Sequence, residues 1–560
     1  MKLNVWSPHA SSLDALIGGA RLPLEHVGEY WSADLPEGTE YLLSVDGGPG
    51  FPDPRSRFQP HGVHGPSQAL DLDFEWSDAS WDSGRTLGTL WYELHVGTFT
   101  PAGTLDSAIA KLPHLAELGV GVVELMPLAA FPGARGWGYD GVALFAVHEA
   151  YGGPSALQRF VDAAHGLGLA VALDVVYNHL GPAGNYLSQF GPYFTDAHET
   201  PWGWAVNLDT PGAHGMREFI LDNARYWFEQ FHIDALRLDA VHALLDDSDR
   251  HILAELADAT HKWQDELGRT LTLVAESDEN DPRTIAPTSQ GGRGMDGQWA
   301  DDVHHALHSY LTGETFGYYV DFGTPQTLAK AFRQVFVHDG DYSTFRGKRW
   351  GSPLPDGVDM TQFVTFTQNH DQVGNRGLGD RPDERLPRGA VMAGAALLLL
   401  GPFTPMLFQG QEWGTTRPFR FFTDHDGDLG KAVSEGRLTE FAQHGWEKLY
   451  GDGFEVPDPQ SETTFLDSKL DWEAIDPEVL AAYRELIELR SLIADDSVCE
   501  PSYGDGWFRI DRGRIAVVTH AGAGTSTHDA PGELLWSWGP AALEDGVLTL
   551  GPHAVAVVRP

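Results

Sequence analysis

The sequence predicts an α/β fold: a parallel (β/α)8 barrel of the TIM type behind a small N-terminal β-sandwich. Three observations point there. Apolar runs of strand length alternate with amphipathic helical stretches eight times. The run Leu169 to Val176 is apolar at nearly every position, as a strand covered on both faces should be. Four of the runs end in, or lead into, Asp, Glu or His, at the C-terminal strand ends where barrels carry their chemistry.

In order, residues 1–88 are rich in Gly and Pro. They carry alternating runs such as Glu40 to Val45, with turn signals at Asp46-Gly47-Gly48 and Phe51-Pro52-Asp53-Pro54; this reads as the sandwich. Near Leu87 the composition shifts, and the barrel is expected over 89–491. Trp91 to Phe99 is its first strand, followed by a helix from Leu105 to Leu118 that Gly119 ends. Gly121 to Met126 is the second, stopped by Pro127 and followed by the helix Ala156 to Leu167. Leu169 to Val176 is the third, before the helix His214 to Phe231; Asp234 to Leu238 is the fourth, before the helix Ile252 to Leu267. Leu271 to Ala275, Gly297 to Ala300, Phe363 to Thr367 and Met406 to Phe408 complete the set, the last after the helix Arg388 to Leu400.

Composition narrows the function classes. The chain of 560 residues has 37 basic and 80 acidic side chains, a net charge of −43. Such a surface repels polyanions, so nucleic acid and anionic membranes are not expected partners. The most hydrophobic run, Ala390 to Phe408, is broken by Gly401-Pro402 and Pro405, and its unbroken part is too short to span a bilayer. Cys499 stands alone, which excludes an internal disulfide and fits a reducing compartment. The opening stretch Met1 to Leu13 has neither an apolar leader nor a twin-arginine signal, so a cytoplasmic location is expected.

The chemistry concentrates at strand ends. Residues two apart on a strand face the same way, so Arg237 and Asp239 look together into one space while Leu236 and Leu238 look into packing. A carboxylate beside a guanidinium stays ionised, which suits a nucleophile; taken alone, the pair reads equally as a structural ion pair. Its company decides. The third strand ends in Asp174 and runs into Tyr177-Asn178-His179, the fifth ends in Glu276, and the seventh leads into Gln368-Asn369-His370-Asp371. A closed barrel offers Asp174, Asp239, Glu276 and Asp371 to one bowl.

Two carboxyls flanking a bond, one ionised and one protonated, are equipment for cleaving a glycosidic linkage. Asp239 is the expected nucleophile. Glu276 has no cation beside it in sequence, so burial and its acidic neighbours are expected to keep it protonated as the acid. Asp371 is the third carboxylate, holding substrate hydroxyls and the distorted ring. Trp137, Tyr139, Trp202, Trp204, Tyr318, Tyr319, Phe345 and Trp350 lie in the intervening loops, and aromatic faces stack on sugar rings, although each alone reads equally as core.

Other constellations lead elsewhere. His304, His305 and His308 share a helical stretch with Asp301 and Asp302, but the Glu of a His-Glu-x-x-His site is missing; hydrogen-bonding roles are expected and no metal is. Gly374 to Gly379 lacks the Lys and Ser/Thr of a phosphate loop. No GxSxG elbow occurs. The acidic run Asp246 to Asp249 reads as a helix cap.

Asp174-Val-Val-Tyr-Asn-His179, Leu236-Arg-Leu-Asp-Ala-Val-His242, Val274-Ala-Glu-Ser277 and Phe366-Thr-Gln-Asn-His-Asp371 resemble the four signature regions of the α-amylase clan of glycoside hydrolases. The resemblance implies a retaining mechanism with Asp239 as nucleophile, Glu276 as acid/base and Asp371 as transition-state stabiliser. It implies Arg237, His179, His370 and Tyr139 around the sugar being cleaved and Asp174 as support; the calcium-binding insertion of typical amylases is not recognisable, so no metal or other cofactor is expected. Gly181 to Tyr186, Thr200-Pro-Trp202-Gly203, Ser277 to Asp281, Gln298 to His305 and Gly317 to Gly323 are similar to the trehalose-releasing branch of the clan. That implies hydrolysis of the α-1,4 bond joining a maltooligosyl chain to terminal trehalose, with maltooligosyltrehalose and related α-glucans as substrates. Tyr318, Phe345 and Arg346 are implied to grip the trehalose unit. The branch also implies an immunoglobulin-like, carbohydrate-module-like N-terminal sandwich and a C-terminal β-domain over 492–560. A glucan branching transferase uses the same carboxylates and is the alternative; a non-catalytic glycan-binding protein is disfavoured because no catalytic carboxylate is missing.

Overall fold

In the computed structural model, which describes residues 1–444, 447–451, 453–493 and 498–560, eight parallel strands close on themselves. They are β1 (Trp91–Leu94), β2 (Val122–Leu125), β3 (Ala170–Val175), β4 (Ala235–Leu238), β5 (Thr272–Ala275), β6 (Gly297–Trp299), β7 (Phe363–Phe366) and β8 (Thr404–Phe408). They pair in sequence order, and β8 returns to β1 to complete the barrel.

Alternation sorts the side chains. Trp91, Val122, Ala172, Ala235, Val274 and Trp299 pack inside the barrel in one apolar cluster. The same phase, continued one step toward the C-terminal ends, turns Glu93, Glu124, Asp174, Arg237 and Glu276 inward as well. The barrel is thus dry at its lower end and charged at its upper end. Trp81 closes the lower end: it packs on the interior cluster, and its indole N–H donates to Asp234 Oδ1 at 2.8 Å.

Two antiparallel sheets precede the barrel, one of three strands and one of five, within residues 2–68. Two more follow it, again of five and three strands, between Cys499 and Arg559. Of the segment expected as the C-terminal domain, residues 494–497 lie outside those described. No described helix is long and apolar enough to cross a membrane.

Three expectations are corrected. The first strand stops at Leu94 rather than Phe99, and Val96–Phe99 is a helical turn. His95 leaves the ladder there: its N–H is taken by the Gln409 side chain, and its carbonyl accepts from Phe99 N. The helix expected over 105–118 is two pieces, Leu105–Ile109 and Leu112–Leu118. Pro113 has no N–H to continue the first piece but fits the first turn of the second. Strand and helix do not alternate throughout: β5 and β6 are joined only by 3₁₀ turns at Pro282–Thr284 and Thr288–Gln290. Pro282, Pro287, Gly291, Gly292 and Gly294 crowd that connection, and so many breakers prevent a helix.

Candidate active site

Arg237 is the centre of the bowl. Its side chain is wholly buried beneath the mouth, with the guanidinium carbon 4.2 Å from the Trp299 ring centre. Nη1 donates to both oxygens of Asp174, at 3.0 and 2.9 Å, and to Asp239 Oδ1 at 2.8 Å. Nη2 lies 3.7 Å from Glu276 Oε2. Three strands thus bring three carboxylates to one cation. Burying a guanidinium costs several kcal/mol, which only close, hydrogen-bonded partners offset.

Asp239 is oriented from a second side. Asn178, in the loop after β3, donates from Nδ2 to both the Asp239 carbonyl and Oδ2, each at 2.8 Å. Immediately after Asp239 the chain enters the left-handed region at Ala240, with φ of +38°, a conformation costing about 1 kcal/mol or more in a non-glycine residue. The turn aims the Ala240 N–H at Glu276 Oε2, 2.5 Å away. Glu276 has its carboxyl raised above the ordinary range. Burial is the main cause; the charges of Asp239 and Asp371 add to it against the pull of Arg237.

Asp371 and His370 open a short helix, His370–Gly374, after β7. Burial pushes Asp371 up, but His370 beside it wins and holds the carboxyl at about 2. His370 Nε2 is 3.3 Å from Asp371 Oδ2, while Nδ1 donates to Glu93 Oε1 at 2.5 Å. Facing carboxylates at both nitrogens, the imidazole is held well above its usual value despite burial.

These groups line or underlie a cavity of about 950 Å³ bounded by Tyr139, His179, Trp202, Asp239, Glu276, His370 and Asp371 among others. Tyr139 lies over the His370 ring, 5.0 Å away and tilted 23°, and its hydroxyl donates to Asp174 Oδ2 at 2.6 Å. His179 stacks on Trp202 at 4.3 Å and 3°. Arg237 and Asp174 sit just below the surface of the bowl, both buried. A site so arranged provides one oriented carboxylate, one carboxyl raised above its ordinary range and a third, ionised carboxylate around an open cavity.

Comparison with known proteins gives this geometry its family. The model of the α-amylase catalytic domain matches residues 73–198. A malto-oligosyltrehalose trehalohydrolase of Arthrobacter ramosus is 47% identical over 572 aligned residues, covering 99% of both chains. The chain belongs to the malto-oligosyltrehalose trehalohydrolases. Another trehalohydrolase, of Saccharolobus solfataricus, is 47% identical across 81% of this chain and 77% of its own. Among solved structures, a protein of Salmonella typhimurium assigned as an α-amylase superposes with a TM-score of 0.90 at 37% identity, covering 100% of this chain and 97% of its own.

The residues implied for the trehalose side of this trehalohydrolase fold form a separate cluster. Tyr318, Phe345 and Arg346 are not among the residues bounding the cavity. Arg346 Nη2 donates to Asp278 Oδ2 at 2.9 Å and its guanidinium covers the Trp350 ring; Tyr318 meets Phe345 edge-on at 6.2 Å. The cluster adjoins the bowl through His242, which bounds the cavity and stands 3.9 Å from Asp278.

Of the three histidines at helical spacing, His308 is hydrogen-bonded to Glu314 Oε2 at 2.8 Å and His304 to the Phe366 carbonyl at 3.1 Å, while His305 packs among the Tyr318, Tyr319 and Phe322 rings. Asp246 accepts from Ile252 N, the first residue of the helix Ile252–Leu267, at 2.6 Å. Sequence reasoning missed Glu93, Glu124, the Asn178 contact with Asp239, and Arg437, which bounds the cavity beside Phe421. A signal existed for the first two: each is one acid in an otherwise apolar strand run, Trp91-Tyr-Glu-Leu94 and Val122-Val-Glu-Leu125.

Proposed function

We propose that the chain exercises its family's activity, release of trehalose from the end of maltooligosyltrehalose, by a double displacement at Asp239. The Asp239 carboxylate attacks the anomeric carbon of the glucose on the non-trehalose side. Glu276 gives its proton to the departing trehalose oxygen. Glu276, now a carboxylate, takes a proton from water as that water displaces Asp239, so the sugar leaves with its original anomeric configuration and Glu276 regains its proton. Asp371 holds hydroxyls of the ring as it flattens. His179, His370 and Tyr139 surround that ring, Arg237 and Asp174 hold the nucleophile in place, Trp202 stacks against the glucan, and Tyr318, Phe345 and Arg346 hold trehalose.

The observation that carries this reading is the shared guanidinium: Asp239 and Glu276 both approach Arg237 at the edge of one cavity, and burial raises the Glu276 carboxyl. The net charge of −43 favours a neutral glycan over nucleic acid or an anionic membrane as partner. The divisions at residues 88 and 491 belong to the same proposal, supported by the absence of any described strand between Gln68 and Trp91. Incubation with maltooligosyltrehalose followed by chromatography tests the reaction. Free trehalose and a shortened maltooligosaccharide are expected; new α-1,6 branches without trehalose would identify a branching transferase instead.

A further inference from the structure

Beneath the catalytic carboxylates two more acids lie side by side in the barrel. Glu93 on β1 and Glu124 on β2 are register partners of adjacent parallel strands, and both are completely buried. Two carboxylates held together without water cannot both ionise cheaply. Their surroundings differ. Glu93 grips one residue with both oxygens: Oε2 accepts from the His370 backbone N–H at 2.9 Å and Oε1 from the His370 ring at 2.5 Å. Neither oxygen of Glu124 has a hydrogen-bond partner among the described residues.

We propose that Glu93 is a positioning residue of the reaction, an anion that keeps His370 doubly protonated against Asp371, and that Glu124 beside it is a neutral carboxylic acid. The inference rests on the roles assigned above to Asp371 and His370. Its physical content is a chain of alternating charge, Glu93⁻, His370⁺, Asp371⁻, running from the upper barrel interior to the bowl. Glu93 is the far end. It fixes the imidazole at its ring and the peptide at its N–H, so both the charge beside Asp371 and the backbone that carries Asp371 are set from a strand that never touches substrate. Burial and the neighbouring Glu93 charge both push the Glu124 carboxyl well above its ordinary range.

The groups facing His370 are few. Glu93 and Asp371 favour its charge; His95, Asp174 and Glu124 lie within electrostatic reach of it, and the Tyr139 ring stacks on it at 5.0 Å. Without the Glu93 anion, the imidazolium loses one of its two nearest carboxylates and gives up its proton at lower pH. Because Glu276, the proton donor, sets the alkaline limb of the rate profile, the change is read on the imidazole itself.

The test uses the full chain with maltooligosyltrehalose, following kcat and KM against pH for wild type, Glu93→Gln and Glu124→Gln, with thermal melting as a fold check. Glu93→Gln is expected to lose about tenfold to a hundredfold in kcat, as when a group that orients a catalytic side chain is neutralised. Its KM should stay within about threefold, and the pH at which the His370 ring loses its second proton, read by nitrogen-15 NMR, should fall by about one unit or more. Glu124→Gln, neutral and isosteric with the protonated acid, should match wild type in all three. A wild-type His370 titration in Glu93→Gln, or an equal loss of kcat in Glu124→Gln, overturns the proposal while leaving wild-type trehalose release intact; absence of that release condemns the functional reading instead. Should Glu93→Gln not fold, neutron diffraction of the wild type decides. Deuterons are expected on both His370 ring nitrogens and on one Glu124 oxygen, and a bare Glu124 or a singly protonated His370 overturns the assignment.

Discussion

The bowl and its rim are built on opposite principles. In the bowl, Asp239, Asp371 and His370 each meet at least two polar partners, and most side chains are nearly or wholly buried. On the rim, Trp202, Trp204 and Phe345 are 49%, 67% and 48% exposed, carried on the hairpin Phe194–Val206 and on the loop around Tyr342–Arg349. Bond cleavage needs groups held to within a fraction of an ångström, which burial and crossed hydrogen bonds supply. Selecting where along a glucan to cut needs wide, flat contact, which exposed rings supply at small cost. The two regions should therefore answer mutation differently, in rate at the bowl and in product choice at the rim.

The sharpest break is expected at the two flanking acids. Asp239→Ala and Glu276→Gln should each lower trehalose release by about 10⁴-fold or more with circular dichroism unchanged. Substantial turnover by the Asp239 variant would refute its role. Next in size is Arg237→Ala, which leaves Asp174, Asp239 and Glu276 facing one another without a cation. It should cost about 3–5 kcal/mol of stability, read by denaturant unfolding; a loss under about 1 kcal/mol would mean the guanidinium is not what holds the bowl together.

Glu276→Gln carries a smaller, opposite signature. Because the folded chain holds that proton more tightly than the unfolded chain, the associated stability is complete below the ordinary carboxylate range and declines as pH rises above it. The variant, lacking the titration, should melt higher than wild type at pH 8 and lose that advantage near pH 4. An unchanged difference across the range would show that Glu276 is not raised.

At the rim, Phe345→Ala or Arg346→Ala should leave total bond cleavage within about threefold while reducing the preference for the trehalosyl linkage over internal maltosyl linkages, an effect of about 1 kcal/mol. Unchanged product ratios remove both residues from trehalose recognition. Trp204→Ala should have the least effect, a KM increase of about threefold with kcat unaltered; a loss of kcat there would erase the contrast between rim and bowl.

Much of the bowl was legible in the sequence because barrel topology converts local pattern into position. Asp174, Arg237, Asp239 and Glu276 each terminate an apolar strand, and a closed parallel sheet gathers such ends. The resemblance of four ordered motifs then supplied roles that alternation alone left open, an ion pair being an equal reading of Arg237 and Asp239. What stayed hidden depends on closure. Glu93 meets His370 across 277 residues of sequence, only because β8 pairs with β1 and β7 with β8. The helix break at Pro113 and the helix-free connection from β5 to β6 were signalled by their own prolines and glycines, but hydrophobic period was read ahead of them. Where Tyr318, Phe345 and Arg346 stand relative to the cavity follows from loop packing, for which no periodicity exists.

The most direct test of the account is to trap the glycosyl intermediate. Wild-type protein treated with a 5-fluoro-α-glucosyl fluoride, then digested and sequenced by mass spectrometry, should carry one sugar on the peptide containing Asp239, attached to its carboxyl. A sugar on Glu276 or Asp371, or no adduct together with a product of inverted anomeric configuration, would contradict it.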